Sequence, residues 1–170
     1  MKNIYLVGFM GTGKSAVGKK LADKLKAKFL DLDSLIEEKE KRKIVDIFAQ
    51  DGEAYFRVLE KEILKEVAVK SGLVVACGGG IVLDKDNITL MKNTGKMICL
   101  AARPEVILER VKHYRHRPLL NVADKEKKIR EILKARQALY NLAHITIDTS
   151  DLSIEETAEK ILGYLKNDRA

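Results

Sequence analysis

A chain of 170 residues with 46% hydrophobic content can bury a core as one domain, which argues against an intrinsically disordered chain. Its 32 Lys and Arg against 25 Asp and Glu give a net charge of +7, so the surface attracts anions: nucleic acid, membrane headgroups or phosphorylated small molecules. No run approaches the ~18 apolar residues of a spanning helix, and Met1-Lys2-Asn3 leads into a short apolar stretch ending in glycine rather than a signal-peptide pattern. The expectation is a cytoplasmic protein.

The predicted elements alternate. Residues 3–8 form a short apolar run that ends in a glycine-rich turn, and from Lys14 the residues Val17, Leu21 and Leu25 recur every four positions, so the order is strand, loop, helix. A second strand is expected at Phe29-Leu30-Asp31-Leu32-Asp33, a third over residues 73–77 and a fourth over 97–101. The third stops at Gly78-Gly79-Gly80, and the fourth is closed by Arg103-Pro104, where proline suits the first turn of the next helix. Residues 144–148 read as a fifth strand, with His144 structural. The last helix opens with Ser153 and Glu156 in capping-box spacing and aligns Ile154, Ala158, Ile161, Leu162 and Leu165 on one face.

Apolar strands alternating with helices describe an α/β protein whose parallel sheet is covered on both faces. Residues 39–70, with no strand, and the polar, basic residues 112–124 look inserted. In such sheets ligands bind beyond the C-terminal strand ends. Cys77 and Cys99 both lie in apolar segments, which fits buried, reduced thiols.

Gly8-Phe9-Met10-Gly11-Thr12-Gly13-Lys14-Ser15 matches G-x-x-x-x-G-K-[ST] between a predicted strand and a predicted helix. Backbone N–H groups of such a loop wrap a phosphate, Lys14 reaches the β- and γ-phosphates, and the Ser15 hydroxyl suits Mg²⁺. The dinucleotide pattern G-x-G-x-x-G fails because Ala16 takes the sixth position, which disfavours a Rossmann oxidoreductase. The third strand ends without a carboxylate, whereas Asp31 and Asp33 stand two apart and, on an extended chain, point to one side. One would serve the metal and the other would accept the acceptor hydroxyl's proton. The competing reading is a pair of helix-capping aspartates.

Arg57 lies among aromatic residues, with Glu53 and Glu60 within about a turn, and suits bidentate recognition of a carboxylate; surface ion pairing on a helix is the alternative. Gly78-Gly79-Gly80 leaves no side chain to keep a ligand from backbone amides. Between Arg103 and Arg136 eleven Lys and Arg face five Asp and Glu, and within that stretch Arg117-Pro118-Leu119-Leu120 suits a loop that delivers arginine over a transferring phosphate. His113 and His116 have no third ligand nearby and are not read as metal ligands. These residues together indicate a small Mg²⁺-dependent kinase with an anionic acceptor. A kinase for another sugar acid, such as gluconate, and a nucleic-acid-binding module remain open at this point. An aromatic content of 5% with no Trp weighs against single-strand stacking.

The phosphate-binding loop, the Asp31/Asp33 pair, the segment Gly52-Glu53 through Phe56-Arg57 to Glu60, the three glycines, Arg117-Pro118-Leu119-Leu120 and the pair Arg136 and Tyr140 together resemble the shikimate kinase family. The resemblance spans nearly the whole chain in the same order. It implies a three-layer α/β/α P-loop kinase fold with a five-stranded parallel sheet ordered 2-3-1-4-5. One domain, residues 1–170, would carry a substrate lobe near 39–70 and a lid near 112–124. It further implies transfer of the ATP γ-phosphoryl to the 3-hydroxyl of shikimate on the route to chorismate and the aromatic amino acids.

By that resemblance Gly11, Thr12, Gly13, Lys14, Ser15, Ala16, Arg110 and Arg117 bind ATP, and Ser15 and Asp31 hold Mg²⁺. Asp33, Arg57, Gly79 and Arg136 bind shikimate, the arginines through its carboxylate. Lys14, Asp33 and Arg117 are the catalytic residues. The implied partners are ATP, ADP and shikimate, with no nucleic acid or membrane, and the implied state is a monomer.

Overall fold

The computed structural model describes residues 1–112 and 122–167. Five strands, β1 (Asn3–Val7), β2 (Lys28–Asp31), β3 (Leu73–Ala76), β4 (Gly95–Ala101) and β5 (Ile145–Asp148), form one sheet in the order β2-β3-β1-β4-β5. Every pairing is parallel: Leu6 lies opposite Ala76 on one side and Ile98 on the other. The described residues add the helices α1 (Lys14–Leu25), α2 (Leu32–Glu40), α3 (Ile44–Ala68), α4 (Lys85–Thr94), α5 (Pro104–Val111), α6 (Lys125–Tyr140) and α7 (Ile154–Asn167).

Alternation along the strands builds two cores. On one face Ile4, Leu6, Val74, Ile98 and Leu100 pack against Val17, Leu21 and Ala22 of α1 and Ile161 of α7. On the other, Tyr5, Val7, Val75 and Met97 pack against Leu59, Ile63, Leu64 and Val67 of α3 and Met91 of α4. Leu21 has no solvent exposure, so truncation to Ala would remove about 2–5 kcal/mol. The two edge strands are less sealed: β2 has no fully buried residue and β5 exposes Thr146 and Asp148. Among the described residues no helix is long and apolar enough to cross a membrane.

Local chemistry sets the helix ends. α1 stops where Lys26 turns left-handed at φ 52°, and the Ala27 N–H closes back on the Ala22 carbonyl at 2.9 Å. α7 has the reciprocal capping box, with Ser153 N–H donating to Glu156 (2.8 Å) and Glu156 N–H donating to the Ser153 hydroxyl (3.1 Å). Ile154, the first helical residue, departs from the expected apolar face and is 49% exposed, while Thr157, Ala158 and Ile161 form the buried stripe.

A second departure concerns β2. The strand ends at Asp31 and α2 begins at Leu32, so Asp31 and Asp33 are not alternate residues of one extended segment. Asp31 is the N-cap: its Oδ1 accepts from the N–H groups of Asp33 (3.1 Å) and Ser34 (3.4 Å). Residues 39–70 hold no strand, and α3 has two arms that meet at Gly52, whose φ of 82° breaks the helix. The second arm carries Leu59, Ile63 and Leu64 into the core, so it belongs to the β2-to-β3 crossover rather than standing apart from it.

Candidate active site

The loop after β1 reverses at left-handed glycines, Gly8 (φ 133°), Gly11 (φ 78°) and Gly13 (φ 95°). The buried Thr12 hydroxyl ties it together by donating to the Phe9 carbonyl at 2.8 Å. α1 then starts with no side-chain cap, so its first-turn N–H groups face the loop mouth and favour an anion there. Lys14 Nζ donates to the carbonyls of Gly8 and Phe9, both at 2.8 Å, which folds the ammonium back over the same loop. Ala16 lies exposed in the first turn of α1. Behind the loop Phe9 and Met10 pack against Ile107, Val111 and Ile129 of α5 and α6.

Beside the loop, Ser15 Oγ donates to Asp31 Oδ2 at 2.6 Å. The strand order places β3 between β1 and β2, yet this contact joins the start of α1 to the β2 end. A hydroxyl and a carboxylate in contact, next to a phosphate-binding loop, suit a hard divalent cation that takes its remaining ligands from water and phosphate. Among the described residues no three His, Cys, Asp or Glu side chains converge on a metal site. His144 is structural, as expected: its Nδ1 accepts from Met97 N–H at 3.0 Å.

Arg110 does not extend into open solvent. Its guanidinium donates to the Gly11 carbonyl (3.2 Å), to the Thr149 hydroxyl (3.1 Å) and to the Thr149 carbonyl (2.8 Å). The Thr149 hydroxyl also lies 3.1 Å from the carbonyls of Thr12 and Ala101. The ends of β4 and β5 and the phosphate-binding loop are thereby joined at one buried threonine. Arg117 and the segment Arg117-Pro118-Leu119-Leu120 lie outside the described residues.

The second wall of the cleft forms at the end of β3. A Cβ on Gly79 would sit 3.5 Å from the Gly8 carbonyl oxygen and the Met10 nitrogen, so the middle of the three glycines packs against the phosphate-binding loop. The Gly79 carbonyl accepts from Tyr140 Oη (2.6 Å) and from Arg136 Nη1 (3.2 Å), which fixes α6 over this turn. Burial pushes the Tyr140 hydroxyl up to about 12, so it donates throughout the physiological range. Gly78 faces two carboxyl groups: a Cβ there would be 2.5 Å from Glu60 Oε1 and 3.1 Å from Asp33 Oδ1. Gly80 faces the Arg57 guanidinium at 2.3–2.5 Å in the same sense.

Arg57 is gripped from two sides. Its Nη1 donates to Glu60 Oε2 at 2.8 Å, and its Nη2 and Nε donate to Glu53 Oε1 at 2.8 and 3.2 Å. The Phe56 ring lies 5.2 Å from the guanidinium carbon. Burial draws the Arg57 proton affinity down, but Glu60 and Glu53 outweigh it and the net shift is upward. Glu60 is 1% exposed, and its Oε1 accepts no hydrogen bond among the described residues. Burial raises its carboxyl to about 7 against the opposing pull of Arg57, with Asp33 adding to the rise and Arg136 opposing it.

Gly11, Thr12, Gly13, Lys14, Ser15 and Asp31 thus gather at the phosphate-binding loop, and Asp33, Arg57, Gly79 and Arg136 at the β3 turn that packs against it. Thr149 as the anchor of the loop, and Gly78 and Gly80 as the spaces that Glu60 and Arg57 fill, escape the sequence reading. Only the run of three glycines hints at the latter.

A parallel sheet ordered 2-3-1-4-5, a phosphate-binding loop after its central strand, and two arginines held at the glycine turn beside that loop define a P-loop kinase. The family model for shikimate kinase matches residues 10–166. Shikimate kinases of Pelotomaculum thermopropionicum (44% identical, over 98% of this chain and 96% of theirs) and Caldanaerobacter subterraneus subsp. tengcongensis (47%, over 98% of each) are close relatives. The structure of shikimate kinase from Acinetobacter baumannii in complex with shikimate superposes with a TM-score of 0.96 at 40% identity, over 99% of this chain and 94% of that one. The chain belongs to the shikimate kinase family.

Proposed function

We propose that this protein transfers the γ-phosphoryl group of ATP to the 3-hydroxyl of shikimate, giving shikimate 3-phosphate and ADP in chorismate and aromatic amino acid biosynthesis. The observation that carries the reading is the contact between the two walls: Gly79 packs on the phosphate-binding loop, so an acceptor held by Arg57 and Arg136 lies against the phosphates held by Gly11 to Ser15. Proximity of this kind is a large part of phosphoryl-transfer catalysis.

The first-turn N–H groups of α1 and the amides of Gly11, Thr12 and Gly13 receive the β- and γ-phosphate oxygens, with Ala16 contributing only its backbone. Lys14 leaves the carbonyls of Gly8 and Phe9 and neutralises charge that grows between the β- and γ-phosphates. Arg110 holds the loop in register from behind and lies next to the nucleotide, and Arg117 completes the cationic set over the transferred group. Mg²⁺ held by Ser15 and Asp31 supplies charge neutralisation at the phosphates. Asp33 orients the 3-hydroxyl and takes its proton as the oxygen attacks phosphorus. Arg57 and Arg136 fix the acceptor by its carboxylate, and Gly79 admits the ring to the backbone.

Residues 39–70 act as the substrate lobe and 112–124 as the lid of this one domain, and the enzyme works as a cytoplasmic monomer without nucleic-acid or membrane partners. The test is a coupled ADP-release assay with Mg²⁺-ATP and shikimate, quinate, gluconate or no acceptor. Turnover confined to shikimate is expected. Turnover with another acceptor would keep the kinase and discard the assignment of the acceptor pocket.

A further inference from the structure

The Arg57 guanidinium has five N–H donors and an edge, Nε with Nη2, that suits a carboxylate side-on. Glu53 already sits on that edge, with its Oε1 within 3.2 Å of both nitrogens. Glu60 holds the remaining nitrogen, Nη1, from beneath. The two carboxylates differ in one respect that matters: the Glu60 side chain is 1% exposed and the Glu53 side chain 46% exposed. Glu60 is fixed by its burial, whereas Glu53 has water into which it can swing.

We infer that Glu53 is a built-in competitor for the acceptor's carboxylate, occupying the side-on edge of Arg57 until the acceptor displaces it. The inference rests on the reading that the acceptor is an anion bound by Arg57 and Arg136.

Charge makes the exchange necessary. Around the acceptor wall the described side chains supply two cations, Arg57 and Arg136, and three carboxyl groups, Asp33, Glu53 and Glu60. A fourth carboxyl group entering with Glu53 in place would crowd one guanidinium with three carboxyl groups in partly dry surroundings. Departure of Glu53 keeps the count of carboxylates on Arg57 at two. Contact with Phe56 and the close approach of Gly80 hold the guanidinium plane in place while its partner changes. An exposed i,i+4 pair is weak, so displacement by a ligand with a second arginine contact is favourable. The arrangement discriminates against neutral acceptors, which cannot replace the carboxylate they would have to expel.

The experiment compares the wild-type enzyme with Glu53→Gln and Glu53→Ala, varying shikimate at saturating Mg²⁺-ATP and then ATP at saturating shikimate. The acceptor KM is expected to fall about three- to ten-fold in both variants, with the ATP KM within two-fold of wild type. A merely structural role predicts no gain in affinity. An acceptor KM that is unchanged or higher in either variant overturns the inference and makes Glu53 an orienting residue for Arg57. A wild-type enzyme that does not turn over shikimate overturns the functional reading first, and is seen before any variant is compared.

Discussion

Ser15 Oγ stands 2.6 Å from Asp31 Oδ2, and the other oxygen of the same carboxylate caps α2 through the N–H groups of Asp33 and Ser34. One side chain therefore joins the phosphate-binding helix, the edge strand and the helix that carries Asp33. Asp31→Ala should remove about 1 kcal/mol of capping stability. It should also raise the Mg²⁺ concentration needed for half-maximal turnover. Asp31→Asn keeps the cap acceptor and should restore most of the melting temperature but not the metal dependence. A metal titration of ADP release for both variants, beside thermal unfolding, separates the two effects. Wild-type metal dependence in Asp31→Asn would remove Asp31 from the metal.

Glu60 gives the molecule a pH dependence of definite sign. Its carboxyl rises from 4.5 to about 7 in the folded state, mainly through burial, so between those values the folded chain holds a proton that the unfolded chain has lost. Stability contributed by this site is then greatest at the acid end and declines as pH rises from about 4.5 to 7, by at most about 3 kcal/mol. Urea unfolding of wild type and Glu60→Gln across that range is the check. The difference in stability between the two should shift in favour of the Gln variant as pH rises. A difference that is flat with pH would mean that Glu60 titrates near its ordinary value.

Gly80 is the space in which the Arg57 guanidinium lies, and an added Cβ would meet three of its atoms at 2.3–2.5 Å. Gly80→Ala leaves the backbone unstrained, since its φ is −97°, so the consequence falls on the guanidinium. Acceptor KM should rise by an order of magnitude or so, about 1.4 kcal/mol of binding, with little change in ATP KM. Equal rises in both constants would indicate a distorted β3 turn instead.

Much of this was legible because it is local. The phosphate-binding loop occupies eight consecutive residues, and the α7 capping box spans Ser153 to Glu156, so spacing alone specified both. The strand-helix alternation announced the parallel sheet, although its order followed from family resemblance and not from periodicity. Asp31 and Asp33 misled because a strand and a helix N-terminus look alike over three residues; only the Asp31 cap decides between them. Helical phase places Ile154 on the inward face, but phase alone does not tell that the first helical residue stays 49% exposed. Glu60 and Thr149 were opaque for a different reason. An i,i+3 pair such as Arg57 and Glu60 occurs on any wet helix, and only the tertiary fold brings Gly78 over it and removes the water.

Thr149 offers the sharpest separation of structure from chemistry. The residue is 2% exposed, and its hydroxyl accepts from Arg110 and lies 3.1 Å from the carbonyls of Thr12 and Ala101. Thr149→Val keeps the shape and deletes these bonds, leaving buried carbonyls with one partner fewer, a loss of about 1–3 kcal/mol. Because the Thr12 carbonyl belongs to the phosphate-binding loop and Arg110 also holds Gly11, the loop loses its rear support. ATP KM should therefore rise several-fold while acceptor KM, set by the wall built from Arg57 and Arg136, stays near wild type. Thr149→Ser restores the hydroxyl and should recover the ATP KM even where the missing methyl lowers the melting temperature. If Val and Ser behave alike, the methyl and not the hydrogen bonds anchors the loop.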